Sequence, residues 1–247
     1  MLTLLLIVSA FCAGVLNSVA GGGSFLTFPA LVFAGVPPLN ANATSTVAVS
    51  PAALAAAYGY RRELGRLKEI SLPSFLGVSL LGGLGGALLL LWTPEKLFVE
   101  VVPWLLLFAT VLFAFGPKLS AYIRKRITVG PRAVLVMQFA IALYGGYFGG
   151  GIGILILATL GLFGLTDLHA MNGLKSLVSG LLNAVAVFAF VIGGVVHWPE
   201  AIIMTVSAIA GGYAGASVAR HVPTPALRWF VILVGIAMTV YFFATRG

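Results

Sequence analysis

Long apolar stretches separated by short polar loops dominate this chain. They cover residues 2–36, 41–60, 71–92, 97–116, 132–165, 169–192, 199–219 and 225–245. Six of these eight stretches are about 20 residues long, which is the length a helix needs to cross a hydrocarbon core of roughly 30 Å. The pattern therefore predicts an all-α polytopic membrane protein.

The first and fifth stretches are too long for one ordinary span, and a glycine cluster interrupts each of them. The clusters are Gly21–Ser24 and Gly149–Gly153. Non-helical backbone at membrane depth survives only inside protein or beside a water-filled cavity. We therefore expect two broken helices, each a re-entrant helical hairpin. The alternative is that these glycines only allow close helix packing, which is our interpretation of scattered pairs such as Gly82–Gly83.

The two halves of the chain resemble each other. Segment 14–50 can be laid on segment 142–179 with the glycine clusters in register and Ser50 over Ser179. Each half then reads as one broken segment followed by three ordinary spans. We interpret this as an internal duplication within a single transmembrane transport domain, 1–247, with repeat one at about 1–120 and repeat two at about 130–247.

The distribution of charge predicts that the repeats are inverted. Residues 61–68 form a basic loop, whereas residues 93–100 carry two Glu and one Lys. In the second half the order reverses, because residues 193–200 contain no Lys or Arg and the next loop brings Arg220, with Arg228 close behind. If basic loops are cytoplasmic, equivalent loops lie on opposite sides of the membrane. The prediction is six full spans, two re-entrant hairpins and both termini outside.

Composition narrows the class of protein. The chain has 247 residues, of which 60% are hydrophobic and 8% charged, against roughly 25% charged in soluble domains. Its net charge of +8 lies mostly in short loops, so we expect a lipid bilayer as its surroundings and no nucleic-acid partner. Cys12 is the single cysteine, which excludes a disulfide framework within the chain. We expect no metal site and no cofactor.

The two glycine breaks indicate an anion site. A helix that begins at a break presents unpaired N–H groups and a positive dipole end, and two such starts would meet between the repeats. Lys175 is the one strongly basic residue well inside an apolar stretch, and a cation there suits an anionic substrate. The alternative is that Lys175 reaches the membrane interface, since it lies about 9 Å from the start of its stretch.

Polar side chains near the breaks complete the candidate site. The predicted substrate-binding residues are Asn17, Gly22, Gly23, Ser24, Asn42, Thr44, Thr46, Gly150, Gly151, Asn172 and Lys175. Asn42 could equally cap its helix. Further residues placed to line the cavity are Ser18, Ser179 and Asn183, for which a helix–helix hydrogen bond is an equal alternative. Core packing is the favoured role of Tyr144, Tyr147 and Phe148.

An enzymatic function is not expected. All six acidic residues lie in or near loops, and the three histidines fall at segment ends. Ser24 therefore has no evident base that could activate it as a nucleophile. No catalytic residues are predicted.

Four motifs together resemble the TauE/SafE family of sulfite exporters. They are Gly14 to Pro29 (GVLNSVAGGGSFLTFP), Asn42–Thr44, Gly145 to Gly153 (GGYFGGGIG) and Asn172 to Ser176 (NGLKS). The resemblance covers nearly the whole chain in length and layout. It implies a polytopic inner-membrane protein with a duplicated core that moves sulfite, sulfonates, sulfoacetate or similar small anions.

Residues and resemblance together predict a multi-pass transporter of the cell inner membrane. Its substrate would be a small anion, with export of sulfite or an organosulfonate as the leading hypothesis. The alternatives are a transporter of another small metabolite or ion and a non-transporting membrane scaffold. The coupling ion and assembly into a homo-oligomer stay open.

Overall fold

A computed structural model describes residues 1–19, 22–64, 70–124, 129–218 and 224–245, and shows eleven helices there. The first half contains α1 (Leu2–Val19), α2 (Ser24–Phe33), α3 (Pro38–Gly59), α4 (Arg61–Leu64), α5 (Leu72–Trp92) and α6 (Glu95–Arg124). The second half contains α7 (Pro131–Tyr147), α8 (Ile152–Leu162), α9 (Leu168–Ile192), α10 (Trp198–Val218) and α11 (Thr224–Ala244). The all-α prediction is confirmed, and each long apolar stretch is divided into two helices at its glycine cluster.

Glycine makes both breaks sterically accessible. Gly22 has φ +92°, and Gly149 and Gly151 have φ +79° and +77°, a left-handed conformation that costs a side-chain-bearing residue energy. After each break the chain turns back against the helix it has just left. Gly23 lies beside Asn17 of α1, and Ile152 lies beside Gly145 of α7. Gly21 lies outside the described residues.

The helices that follow the breaks are short. α2 has 10 residues and α8 has 11, which correspond to about 15 and 17 Å at 1.5 Å per residue. Each therefore reaches about half the thickness of a hydrocarbon core of roughly 30 Å. Helices of this length place the two breaks deep in the bundle, not at its surface.

Equivalent helices of the two halves exchange partners. α1 packs most extensively on α10 and α7 on α5, while α3 packs on α9 and α6 on α11. The scattered glycines lie in these contacts, as predicted: Gly86 faces the backbone carbonyl of Leu143, and Gly211 faces that of Phe11. Close approach of two helices requires small residues at such points. The exchange is the contact pattern of two halves related by an approximate two-fold axis.

The equivalent helices α3 and α9 run antiparallel. Gly180 lies against Leu54. Gly173, which comes earlier in α9, lies against Tyr60, which comes later in the chain than Leu54. The pair α6 and α11 behaves alike, since Gly235 lies against Thr110 and the rings of Trp104 and Phe243 are 5.1 Å apart. Inverted repeats require such antiparallel pairs. The orientation of the halves across a bilayer stays a prediction, as do the limits of the two repeats.

Three of the described helices are long and apolar enough to cross a membrane by length and composition: α5, residues Glu95–Gly116 of α6, and α9. Large apolar side chains such as Leu81, Trp104 and Ile192 are exposed on the outside of the bundle. An apolar outer surface suits lipid. The six predicted spans stay a prediction, and Arg66, Lys68 and Arg220 of the charge argument lie outside the described residues.

Candidate functional site

A cavity of about 70 Å³ lies where the two breaks meet. Both halves of the chain contribute to it through a break and through the helix that follows. Its lining is formed by Asn17, Gly22, Ser24, Thr46, Val49, Ala53, Ala56, Gly149, Gly151, Ile152, Gly153, Lys175, Ser176, Ser179 and Asn183. No acidic residue belongs to this lining, as far as the described residues show.

Two helix faces form the long walls of the cavity. Thr46, Val49, Ala53 and Ala56 follow one another at helical spacing and line about 15 Å of α3. The other wall is one face of α9, where Lys175, Ser179 and Asn183 line the cavity at helical spacing. The wall formed by α3 therefore consists of small, mostly apolar side chains. The wall formed by α9 is polar and carries the Lys175 cation.

Lys175 has no counter-charge in the part of the chain that the structure describes. It is half-buried, and neither a hydrogen bond nor an ion pair joins it to another described residue. A methyl group at Gly153 would lie 3.3 Å from Lys175 Cδ, so the aliphatic stem of the lysine runs along the start of α8. An ionised amine inside a membrane protein needs an anionic or polar partner. A bound anion would supply one.

The second break presents backbone donors to the same cavity. Ile154 N–H donates to the Gly151 carbonyl at 3.1 Å, but the N–H groups of Gly151, Ile152 and Gly153 have no acceptor among the described residues. No side chain caps α8. Three successive donors at a helix start form an arrangement that binds oxyanions.

The first break is more fully bonded. Gly23 N–H donates to Asn17 Oδ1 at 2.9 Å, and Phe25 N–H donates to the Gly22 carbonyl at 3.0 Å. Ser24 lines the cavity between these bonded groups. Its hydroxyl and that of Thr46 are the side-chain hydroxyls that the first half of the chain contributes to the lining, and Thr46 Oγ1 also donates to the Asn42 carbonyl at 2.9 Å.

Six of the predicted site residues line the cavity: Asn17, Gly22, Ser24, Thr46, Gly151 and Lys175. Ser179 and Asn183 line it as well. The structure thus brings these residues together from distant parts of the chain, whereas their binding roles stay predictions. The side chain of Ser18 lies outside the described residues.

The other five predicted residues do not line the cavity, and each makes a hydrogen bond that involves a backbone group. Gly23 is bonded to Asn17, and Gly150 accepts a hydrogen bond from the Tyr144 hydroxyl at 2.7 Å. Asn172 donates to the Leu168 carbonyl one turn earlier in α9. None of these groups belongs to the lining of the cavity.

The polar run at the start of α3 joins the two halves. Asn42 Nδ2 donates to the Tyr147 carbonyl at 2.9 Å, and Thr44 Oγ1 accepts from His197 N–H at 3.0 Å. Because α3 begins at Pro38, Asn42 is not a cap of this helix. Three polar residues of this run, Asn40, Asn42 and Thr44, therefore bond to the second half of the chain.

A small second cavity of about 10 Å³ lies beyond the breaks, lined by Ser24, Phe25, Phe28, Asn42, Leu106, Phe148 and Gly150. Ser24 lines both cavities. The rings of Phe28 and Phe148 meet edge to face with their centres 5.9 Å apart. One ring from each half therefore lines this second cavity.

Several lining residues were not predicted. Gly149, Gly153 and Ser176 belong to this group, as do Val49, Ala53 and Ala56 of α3. A signal existed for the α3 residues, since they follow Thr46 at intervals of one helical turn. Nothing in the sequence alone distinguishes this face of α3 from its other small-residue faces.

Comparison with known proteins gives a consistent result. The family described as "Sulfite exporter TauE/SafE" matches residues 6–242. "Probable membrane transporter protein YfcA" of Escherichia coli (strain K12) is 28% identical over 232 residues, covering 93% of this chain and 85% of that protein. A "Probable membrane transporter protein" of Haemophilus influenzae is 31% identical over 244 residues, covering 96% and 92%. No solved structure matches significantly.

Proposed function

Because the chain belongs to the TauE/SafE family of membrane transporters, we propose that it exports sulfite or another small sulfur-containing oxyanion, such as an organosulfonate, across the cytoplasmic membrane. The single observation that carries this proposal is the charge of the cavity. Lys175 and the free N–H groups at the start of α8 line one small space that no described acidic residue enters. Such a site favours an anion over a cation or a neutral metabolite.

The size of the cavity supports a small substrate. Sites for drug-sized ligands typically measure about 300–1,000 Å³, whereas this cavity measures about 70 Å³. An inorganic oxyanion or a short organic anion suits such a volume. A nucleotide or a sugar phosphate does not.

The position of two arginines near one end of the cavity supports loading of the substrate from the cytoplasm. The cavity runs along α3 to Ala56, and the exposed side chains of Arg61 and Arg62 follow just beyond. Basic loops are retained on the cytoplasmic side. In this orientation the substrate enters past a positively charged rim, and its passage outward is export.

A flux assay tests the proposal. Liposomes that contain the purified protein and are loaded with sulfite are expected to release it faster than protein-free liposomes with the same load. Choline, a cation, is expected to leave both kinds of liposome at the same rate. The same vesicles loaded with sulfate, thiosulfate and sulfonates rank the substrates, and imposed pH or sodium gradients identify coupling. If the fluxes of sulfite, sulfonate and thiosulfate all equal those of protein-free liposomes, the proposal is contradicted.

A further inference from the structure

The two breaks are closed by hydrogen bonds of opposite polarity. Each bond links a side chain on the helix before the break to a backbone group six residues later. In the first break Asn17 Oδ1 accepts from Gly23 N–H at 2.9 Å. In the second break the Tyr144 hydroxyl donates to the Gly150 carbonyl at 2.7 Å. The first bond occupies a backbone donor, and the second occupies a backbone acceptor.

This difference decides how many donors each break leaves for a ligand. In the first break, Gly23, Phe25 and Leu26 use their N–H groups within the protein, so that at the start of α2 only the Ser24 N–H has no acceptor among the described residues. In the second break, the three N–H groups from Gly151 to Gly153 have no acceptor among the described residues. The pseudo-symmetric breaks are therefore chemically unequal.

Tyr144 holds the second break from both sides. Its backbone carbonyl accepts from Phe148 N–H at 2.9 Å, at the end of α7, while its hydroxyl binds Gly150 beyond the turn. Its ring is fixed by Phe108, with the ring centres 5.5 Å apart in an edge-to-face contact. A side chain held at both ends has little freedom to release the turn.

The geometry of the peptide bond transmits this constraint to the cavity. The peptide unit is planar and trans, so the Gly150 carbonyl and the Gly151 N–H point in opposite directions. Fixing the carbonyl on Tyr144 therefore aims the Gly151 N–H away from the tyrosine, and Gly151 lines the cavity. A hydrogen bond to the carbonyl also polarises the peptide and strengthens its N–H as a donor.

We propose that Tyr144 is a positioning residue of the anion site, and that the anion binds asymmetrically at the second break. Its oxygens accept from the N–H groups of Gly151, Ile152 and Gly153, and its charge is balanced by Lys175, whose stem lies against Gly153. The first break contributes the hydroxyl of Ser24 but fewer backbone donors. This inference rests on the proposed function, because it concerns the same site.

Replacing Tyr144 by Phe removes only the hydroxyl, so the ring contacts survive. We expect the Kd for sulfite to rise roughly 3- to 10-fold, and the melting temperature to fall modestly because the buried Gly150 carbonyl loses its partner. Tyr147→Phe is the matched control, because the Tyr147 side chain makes a ring contact with Phe98 but no hydrogen bond with a described residue. Its sulfite affinity is expected to stay at the wild-type value.

Backbone NMR of the unmodified protein tests the asymmetry without any variant. With ¹⁵N-glycine labelling, sulfite is expected to shift the amide signals of Gly151 and Gly153 more than that of Gly23. Equal shifts at the three glycines, or a larger shift at Gly23, would overturn the inference. This measurement decides the matter if Tyr144→Phe fails to fold.

The outcomes separate this inference from the proposed function. If the wild-type protein binds neither sulfite nor another small anion, the proposed function fails and the role of Tyr144 fails with it. If the wild-type protein binds sulfite and folded Tyr144→Phe binds it equally well, the positioning role alone is wrong.

Discussion

Burial of the Lys175 amine costs hydration free energy, and the same amine is the predicted anion-binding group. A charged amine seven residues into α9, about 10 Å from the helix start, loses much of its hydration. The part of the chain that the structure describes offers no counter-charge, yet the neighbouring backbone N–H groups add further positive potential. A bound anion would neutralise this positive charge. The residue that destabilises the empty site is therefore the one expected to bind substrate.

We therefore expect Lys175→Ala to weaken sulfite binding by roughly 10- to 100-fold, since a hydrogen bond to a charged group contributes about 1.5–3 kcal/mol. Isothermal titration of the purified protein measures the change. Lys96→Ala removes an exposed lysine at the start of α6 and is expected to bind normally. Unchanged affinity and flux in Lys175→Ala would show that this lysine takes no part in binding.

At the scale of elements, glycine serves two different purposes in this fold. Gly149 and Gly151 adopt left-handed conformations that end one helix and begin the next. Gly86 is helical and instead lets α5 approach the backbone of α7. The first use creates free donors at the site, and the second holds the halves together.

A pair of substitutions on one helix isolates the packing role. A methyl group at Gly86 would collide with the Leu143 carbonyl and the Tyr147 backbone, whereas one at Gly77 would meet nothing within 4 Å. Gly86→Ala is expected to destabilise the protein by about 1–3 kcal/mol, the range for overpacking. Gly77→Ala is expected to be neutral or stabilising, by up to about 1 kcal/mol, through helix propensity. Thermal unfolding in detergent compares them, and equal stabilities would contradict the close contact of α5 and α7.

At the scale of the whole molecule, the antiparallel pairing of α3 with α9 builds the cavity from both halves of the chain. Each half supplies one break and one wall, so a movement of one half against the other changes both ends of the cavity. Transporters built from inverted repeats use such movements for alternating access. The edge-to-face pair of Phe28 and Phe148 joins the halves beside the second cavity.

Topology provides the test at this scale. In a background with Cys12→Ala, single cysteines at the exposed positions Arg62 and Pro199 report on the loops before α5 and before α10. A membrane-impermeant thiol reagent is expected to label position 199 from outside and position 62 from the cytoplasmic side, as inverted repeats require. Labelling of both positions from the same side would exclude the inverted arrangement.

The helices and their breaks could be predicted from the sequence because they depend on local properties. The length of an apolar run determines whether a helix can span a bilayer, and a cluster such as Gly149–Gly153 interrupts it wherever the segment packs. The candidate site was predictable only in part. Thr46 and Lys175 line the cavity, whereas Asn42 and Asn172, equally polar in sequence, do not.

The sequence by itself determined the helical class, the two breaks and the family to which the chain belongs. Only the tertiary structure decided which face of α3 meets α9, that Asn42 donates to the Tyr147 carbonyl, and that Thr44 accepts from His197 N–H. The physical reason is range. Helix formation follows neighbouring residues, whereas the rotation of a helix about its axis and the partner of a polar group depend on residues more than 100 positions away.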